Sequence, residues 1–154
     1  MSALLKTETD NEVEIAEINS STSCLIDTNG FMIPVQFGVD IFSELNRLGF
    51  SHFLTASAVL RELARLSQTV SGSDKAAVRI ALQLAQKCRI VDADSDSSET
   101  KPSAYADDVL FNYAVENSIA VLTNDVQLRQ RLTQKGIRVI SMRQTKRLDF
   151  VSQK

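Results

Sequence analysis

Ser23-Cys24-Leu25-Ile26-Asp27-Thr28-Asn29 is an apolar run of strand length that ends abruptly on an acid. Its brevity and its Cys, Leu and Ile content read as a strand buried on both faces, the kind found in parallel sheets. Similar runs recur at His52–Thr55, Arg89–Asp92, Ile119–Leu122 and Ile137–Ser141. The stretches between them have helical periodicity. Pro34 suits a first helical turn, and Val35, Val39, Ile41, Phe42, Leu45 and Leu48 follow at helical spacing up to a stop at Gly49. Ser57 is placed to cap a helix carrying Val59, Leu60, Leu63 and Leu66, and Ser73 to open another through Ile80, Leu84 and Cys88. A helix over 103–117 and one over 125–135, ended by Gly136, complete the alternation. Strands alternating with helices predict a three-layer α/β/α fold around a doubly wound, parallel, five-stranded sheet.

The chain of 154 residues has the length of one ordinary domain, and its 44% apolar and 23% charged composition is that of a soluble globular protein. No stretch approaches the roughly 20 apolar residues that span a bilayer, and no signal-peptide pattern opens the sequence, so no membrane association is expected. Cys24 and Cys88 sit beside strand segments and read as small hydrophobes in a reducing cytoplasm. A single histidine, His52, and no Cys-x-x-Cys argue against a zinc site. The lack of Gly-Lys-Ser or Gly-Lys-Thr argues against nucleoside triphosphate chemistry.

Three regions are expected: a flexible acidic segment over 1–22, the α/β domain over 23–142, and a basic tail over 143–154. The polar stretch from Asp94 to Pro102 reads as a flexible loop. Glu8, Asp10, Glu12, Glu14 and Glu17 face a single Lys6 in the head, whereas 126–148 holds Arg129, Arg131, Lys135, Arg138, Arg143, Lys146 and Arg147 and no acid. Such a run is either a solvated helix face and tail or a surface for a polyanion.

In open α/β sheets, ligands collect outside the carboxyl ends of the strands. Asp27 and Asp125 each follow a strand, and Glu62 and Asp107 lie early in helical segments. Taken singly, Asp27, Asp107, Asp108 and Asp125 read equally well as helix caps and first-turn acids, and Glu62 as a surface partner of Arg61 or Arg65. Together they fit hard-cation ligation, because converging carboxylates stay ionised only with something cationic between them. Ions about 3.5–4 Å apart in such a cluster orient a water and stabilise both oxygens of a phosphodiester displacement.

The order of these residues resembles the PIN domain family. Leu25-Ile26-Asp27-Thr28-Asn29 is similar to its first motif and 54–63 (LTASAVLREL), with Glu62, to its second. Tyr105-Ala106-Asp107-Asp108-Val109-Leu110 is similar to the third, and Val121-Leu122-Thr123-Asn124-Asp125 to the fourth. The stretch 33–42 (IPVQFGVDIF) resembles archaeal PIN proteins that are like both VapC-type toxins and rRNA-processing PIN nucleases. The resemblance implies a Mg²⁺- or Mn²⁺-dependent endoribonuclease with sheet order 3-2-1-4-5. Asp27, Asp107 and Asp125 would be metal ligands and Glu62 a ligand or water-positioning acid. Asp108 would join the metal residues as a supporting acid: adjacent helical side chains point about 100° apart, so only one can aim squarely at the same ion, and the 18 residues from Asp107 to Asp125 favour Asp107. Asn29, Thr123 and Asn124 would support the ligands. RNA is the implied partner, with an antitoxin, a ribosome-assembly protein or a second copy of the chain as further ones. The alternative is a PIN-fold module that binds RNA or an assembly partner without cutting.

Overall fold

In the computed structural model, which describes residues 18–92, 104–144 and 146–152, six strands form one sheet. The greater part of the acidic head and the 94–102 loop lie outside the described residues. The strands are β1 (Ser23–Ile26), β2 (His52–Thr55), β3 (Arg89–Ile90), β4 (Ala120–Leu122), β5 (Val139–Met142) and β6 (Leu148–Phe150), in the order β3-β2-β1-β4-β5-β6. The first five are parallel, in the expected 3-2-1-4-5 order. β1 is the axis. All four of its residues are buried, with Cys24 opposite Phe53 on one side and Ala120 on the other.

The helices are α1 (Thr28–Phe37), α2 (Ile41–Arg47), α3 (Ser57–Thr69), α4 (Ser73–Ala85), α5 (Ala104–Asn117) and α6 (Val126–Gln134). They bury Phe31, Ile33, Leu45, Leu63, Leu110 and Leu132 against the sheet, each essentially inaccessible. Each such side chain contributes about 1.5–3 kcal/mol on leaving water. Among the described residues no helix is long and apolar enough to cross a membrane.

Three local expectations are corrected. The helix expected to start near Pro34 and run to Leu48 is two helices. The Asp27 cap starts α1 well upstream, leaving Pro34 inside it, and Gly38 ends it in the left-handed region at φ 70 with its N–H on the Pro34 carbonyl at 2.9 Å. Ser57 does not cap α3. The N-cap is Ala56, and Asp92, just beyond β3, accepts the Ser57 N–H at 2.6 Å and its hydroxyl at 3.2 Å. Finally, part of the stretch expected as a basic tail is β6, antiparallel to β5 with Ile140 opposite Phe150. Its Leu148 N–H reaches Glu44 Oε1 at 3.1 Å, and Arg47 Nη2 reaches the Leu148 carbonyl at 2.7 Å. Arg138 lies over the rings of Phe50 and Phe150, 5.2 and 5.9 Å from their centroids.

The chain leaves β1 for β2 and β3 on one side and returns to β4 and β5 on the other. The carboxyl ends of β1 and β4 therefore flank the switch point, where such sheets open a crevice for a ligand.

Candidate active site

Asp27 is the first residue past β1 and is 2% exposed. Its Oδ1 accepts the Gly30 N–H at 2.8 Å, which caps α1, and its Oδ2 accepts the Thr123 hydroxyl at 2.6 Å. Gly30 is required here. A Cβ on it would stand 3.0 Å from both Ile26 Cγ2 and the Leu122 carbonyl oxygen, and 3.3 Å from Asp27 Oδ1. The first turn of α1 thus nests directly on the ends of β1 and β4.

Thr123 is fully buried and joins the two strand ends. Besides donating to Asp27, its hydroxyl oxygen accepts the Asp125 N–H at 3.0 Å. Asn29 Oδ1 accepts the Asn124 N–H at 2.9 Å, and Asn124 Oδ1 accepts the Met142 N–H at 2.9 Å. Asp125 caps α6 through Oδ1, on the Leu128 N–H at 3.0 Å. The cap reading of these two aspartates is therefore correct, and in each the cap occupies only one carboxylate oxygen. Asn29, Thr123 and Asn124 lock the strand ends that carry the acids.

Glu62, half-buried on α3, accepts the Thr28 hydroxyl at 2.7 Å. Thr28 is a contact the sequence reading missed, since the two residues are far apart in the chain and no local pattern links them. Asp107 and Asp108, adjacent in the first turns of α5, meet opposite surroundings. Asp108 is exposed and paired with Arg131 Nη1 at 3.0 Å, and Arg131 in turn lies 4.3 Å from the centroid of the Phe111 ring. Asp107 is half-buried and makes no hydrogen bond among the described residues.

The electrostatics follow the geometry. Burial pushes the Asp27 carboxyl up to about 7 despite its two hydrogen bonds, with Asp107 and Asp125 adding repulsion. Burial, then the charges of Asp125 and Glu62, push Asp107 up to about 6, against a smaller opposing pull from Arg131. Asp27, Glu62, Asp107 and Asp125 thus share one electrostatic neighbourhood. No three acid, histidine or cysteine side chains among the described residues stand close enough to form a ready metal cage. The donor set nonetheless suits a hard cation: every group is an oxygen, and burial, with repulsion between the acids, raises two of the carboxyls.

The other reactive groups are excluded. Cys24 and Cys88 are free and buried, and burial pushes the Cys88 thiol up to about 12 and that of Cys24 higher still, so neither is a nucleophile. His52 stands at the opposite end of the sheet, with Nδ1 3.2 Å from both Thr22 Oγ1 and Ser51 Oγ. The basic stretch is divided as well. Arg143, Lys146 and Arg147 lie in the β5–β6 turn at the acid end, while Arg138 packs on its two phenylalanines before β5.

A family model described as a PIN-like domain matches residues 24–145, from β1 into the β5–β6 turn. The chain belongs to the PIN-like domain family. Two relatives of this PIN domain are ribonucleases by name. Ribonuclease VapC9 of Archaeoglobus fulgidus is 30% identical over 131 residues, covering 84% of this chain and 90% of its own length. Ribonuclease VapC4 of Methanocaldococcus jannaschii is 31% identical over 125 residues, covering 78% and 89%. Among solved structures, the PIN domain endonuclease Utp24 matches with a TM-score of 0.63, covering 83% of this chain and 90% of that one. At 24% identity that likeness is one of fold.

Proposed function

We propose that this PIN domain is an endoribonuclease that hydrolyses RNA phosphodiester bonds with a divalent metal ion, Mg²⁺ or Mn²⁺. One observation carries the reading: the buried Asp27 carboxyl, tied to Thr123 at the β1–β4 switch point and raised by burial and by Asp107 and Asp125. A site that collects repelling carboxyls at a ligand crevice is arranged for a cation. The two VapC relatives agree with RNA as the substrate.

Asp27, Asp107 and Asp125 would hold the ion. A divalent ion there supplies Lewis-acid polarisation of the phosphodiester and a nucleophilic water at neutral pH. Thr123 keeps Asp27 Oδ2 facing the β4 end, and the Asn29–Asn124 bond keeps the two strand ends from separating. Asp107, without a protein partner among the described residues, is free to rotate towards Asp125. Glu62, steadied by Thr28, orients the attacking water. Asp108 acts at one remove: it holds Arg131 over Phe111, beside Asp107, where the guanidinium meets an incoming phosphate. Arg143, Lys146 and Arg147 extend that cationic border, as is useful for a polyanionic strand.

The test is cleavage of a labelled single-stranded RNA with Mn²⁺ or Mg²⁺ by the wild-type chain and by Asp27→Asn and Asp125→Asn. Cleavage that survives both changes removes the assignment. A chain that binds RNA but never cuts it, and whose melting temperature ignores millimolar Mn²⁺, is the binding module instead. A VapC-like toxin and an rRNA-maturation nuclease differ in their partner, an antitoxin or a ribosome-assembly protein, which pull-down with the product of the adjacent gene distinguishes.

A further inference from the structure

The amino end of the sheet carries a second site of opposite charge. Ser23, at the start of β1, pairs in register with His52, and Leu54 pairs with Arg89. Side chains alternate along a strand, so Ser23, His52, Leu54 and Arg89 share one face. At that end lies a cavity of about 550 Å³ whose walls include Asn19, Ser23, Ser51, His52, Lys87 and Arg89 and, among the described residues, no acid. Its size falls in the ordinary range of small-molecule sites.

The polar groups in this wall are under-used. Neither Lys87 nor Arg89 forms an ion pair with a carboxylate among the described residues. Asn19 Oδ1 accepts both the N–H and the hydroxyl of Ser21, so its amide N–H groups remain unmatched among those residues. His52 Nδ1 faces the Thr22 and Ser51 hydroxyls, and a hydroxyl donating to Nδ1 puts the ring proton on Nε2. Ser23 Oγ is buried with no hydrogen-bond partner at all among the described residues. Buried hydroxyls in that state are rare and call for a bound group or an ordered water to complete them.

We infer that this cavity binds a phosphate monoester of the nucleotide kind, with Lys87 and Arg89 on the phosphoryl oxygens and the buried Ser23 hydroxyl beside them. Arg presents paired N–H donors to phosphate and Lys a point charge. The ligand is either a free mononucleotide or the phosphorylated end of an RNA strand, which share this chemistry. The site is separate from the acid cluster. Ser23 and Asp27 stand at opposite ends of β1, roughly 13 Å apart at about 3.3 Å per residue, so the inference holds whether or not the acid site cuts RNA.

The test is calorimetric titration of the full chain in EDTA, which removes binding through a divalent ion at the acids. The probes are 5′-AMP, adenosine, inorganic phosphate and a 5′-phosphorylated RNA tetranucleotide. AMP should bind and adenosine should not. Lys87→Ala/Arg89→Ala should weaken AMP at least about tenfold, as expected for charge-assisted hydrogen bonds, and Asp27→Asn should leave the affinity unaltered. Binding of the tetranucleotide alone, with the same sensitivity to Lys87 and Arg89, makes a strand end the ligand. The inference is overturned if no phosphate probe binds at millimolar concentration, if binding survives the double substitution, or if it is lost in Asp27→Asn. Ser23→Ala adds a check that folding cannot confound. It should raise the melting temperature of the free protein while weakening AMP, and an unchanged AMP affinity excludes Ser23 from the site.

Discussion

The two ends of one short strand carry opposite chemistry. At the carboxyl end of β1, acids gather against a buried carboxylate and their charges repel. At its amino end, Lys87, Arg89 and His52 surround a cavity that has no acid among the described residues. The parallel sheet explains the division. All its carboxyl ends lie together and all its amino ends lie together, so a residue's position along a strand decides which chemistry it joins. Asp107 and Asp108 repeat the contrast at the scale of one helical turn: one faces like charges and the other faces Arg131.

The largest expected effect separates that adjacent pair. Asp107→Asn should lower RNA cleavage at least about a hundredfold, as Asp27→Asn and Asp125→Asn should, because each removes a charge from the proposed cation site. Asp108→Asn should cost less than about fivefold. Equal losses at 107 and 108, measured as initial rates at saturating Mn²⁺, would erase the distinction between them.

Metal comes next. Saturating Mn²⁺ should stabilise the folded chain by about 2–3 kcal/mol at a hundredfold excess over its dissociation constant, raising the melting temperature by roughly 5–10 °C. The same titration on Asp27→Asn should give little shift.

Without metal a pH effect follows from the same carboxyl. Folded Asp27 keeps its proton up to about pH 7, whereas its ordinary value is 3.8. The folded chain therefore binds the extra proton between those values, and stability falls as pH rises through that window. In EDTA the chain should lose about 2 kcal/mol between pH 5 and pH 8, and Asp27→Asn should flatten the slope. A melting temperature that instead climbs over this range in EDTA contradicts the raised carboxyl.

The smallest effect tests the lock between the strands. Thr123→Val keeps the shape but leaves Asp27 Oδ2 without its donor, which should cost about 1–2 kcal/mol and a few degrees of melting temperature. Cleavage should fall about tenfold. Full activity in this variant would mean that Asp27 needs no such anchor.

Much of this was legible because the decisive signals are local. The five parallel strands stand out as short apolar runs, and Asp27 and Asp125 occur where a strand hands over to a helix. What escaped depends on distant partners. Leu148-Asp149-Phe150 buries only Leu148, so β6 carries no alternation to read. It is fixed by β5 and by Glu44 and Arg47 of α2. Asp92, just past the neighbouring strand β3, accepts the first N–H of α3, and Thr28 meets Glu62 only once α1 and α3 have packed. The choice between Asp107 and Asp108 rested on spacing in the sequence. In the folded chain it turns on where Arg131 lies.

Gly30 turns this geometry into a rule of descent. A carbon added at position 30 would stand 3.0 Å from a strand side chain and a strand carbonyl, so its neighbours would have to give by a few tenths of an ångström. A lineage that holds its first aspartate in this pose has to inherit the glycine with it. A homologue bearing even alanine there must have lifted α1 by a few tenths of an ångström, and its first acid with it. That single position can sort homologous sequences into those that keep this crevice and those that have rebuilt it.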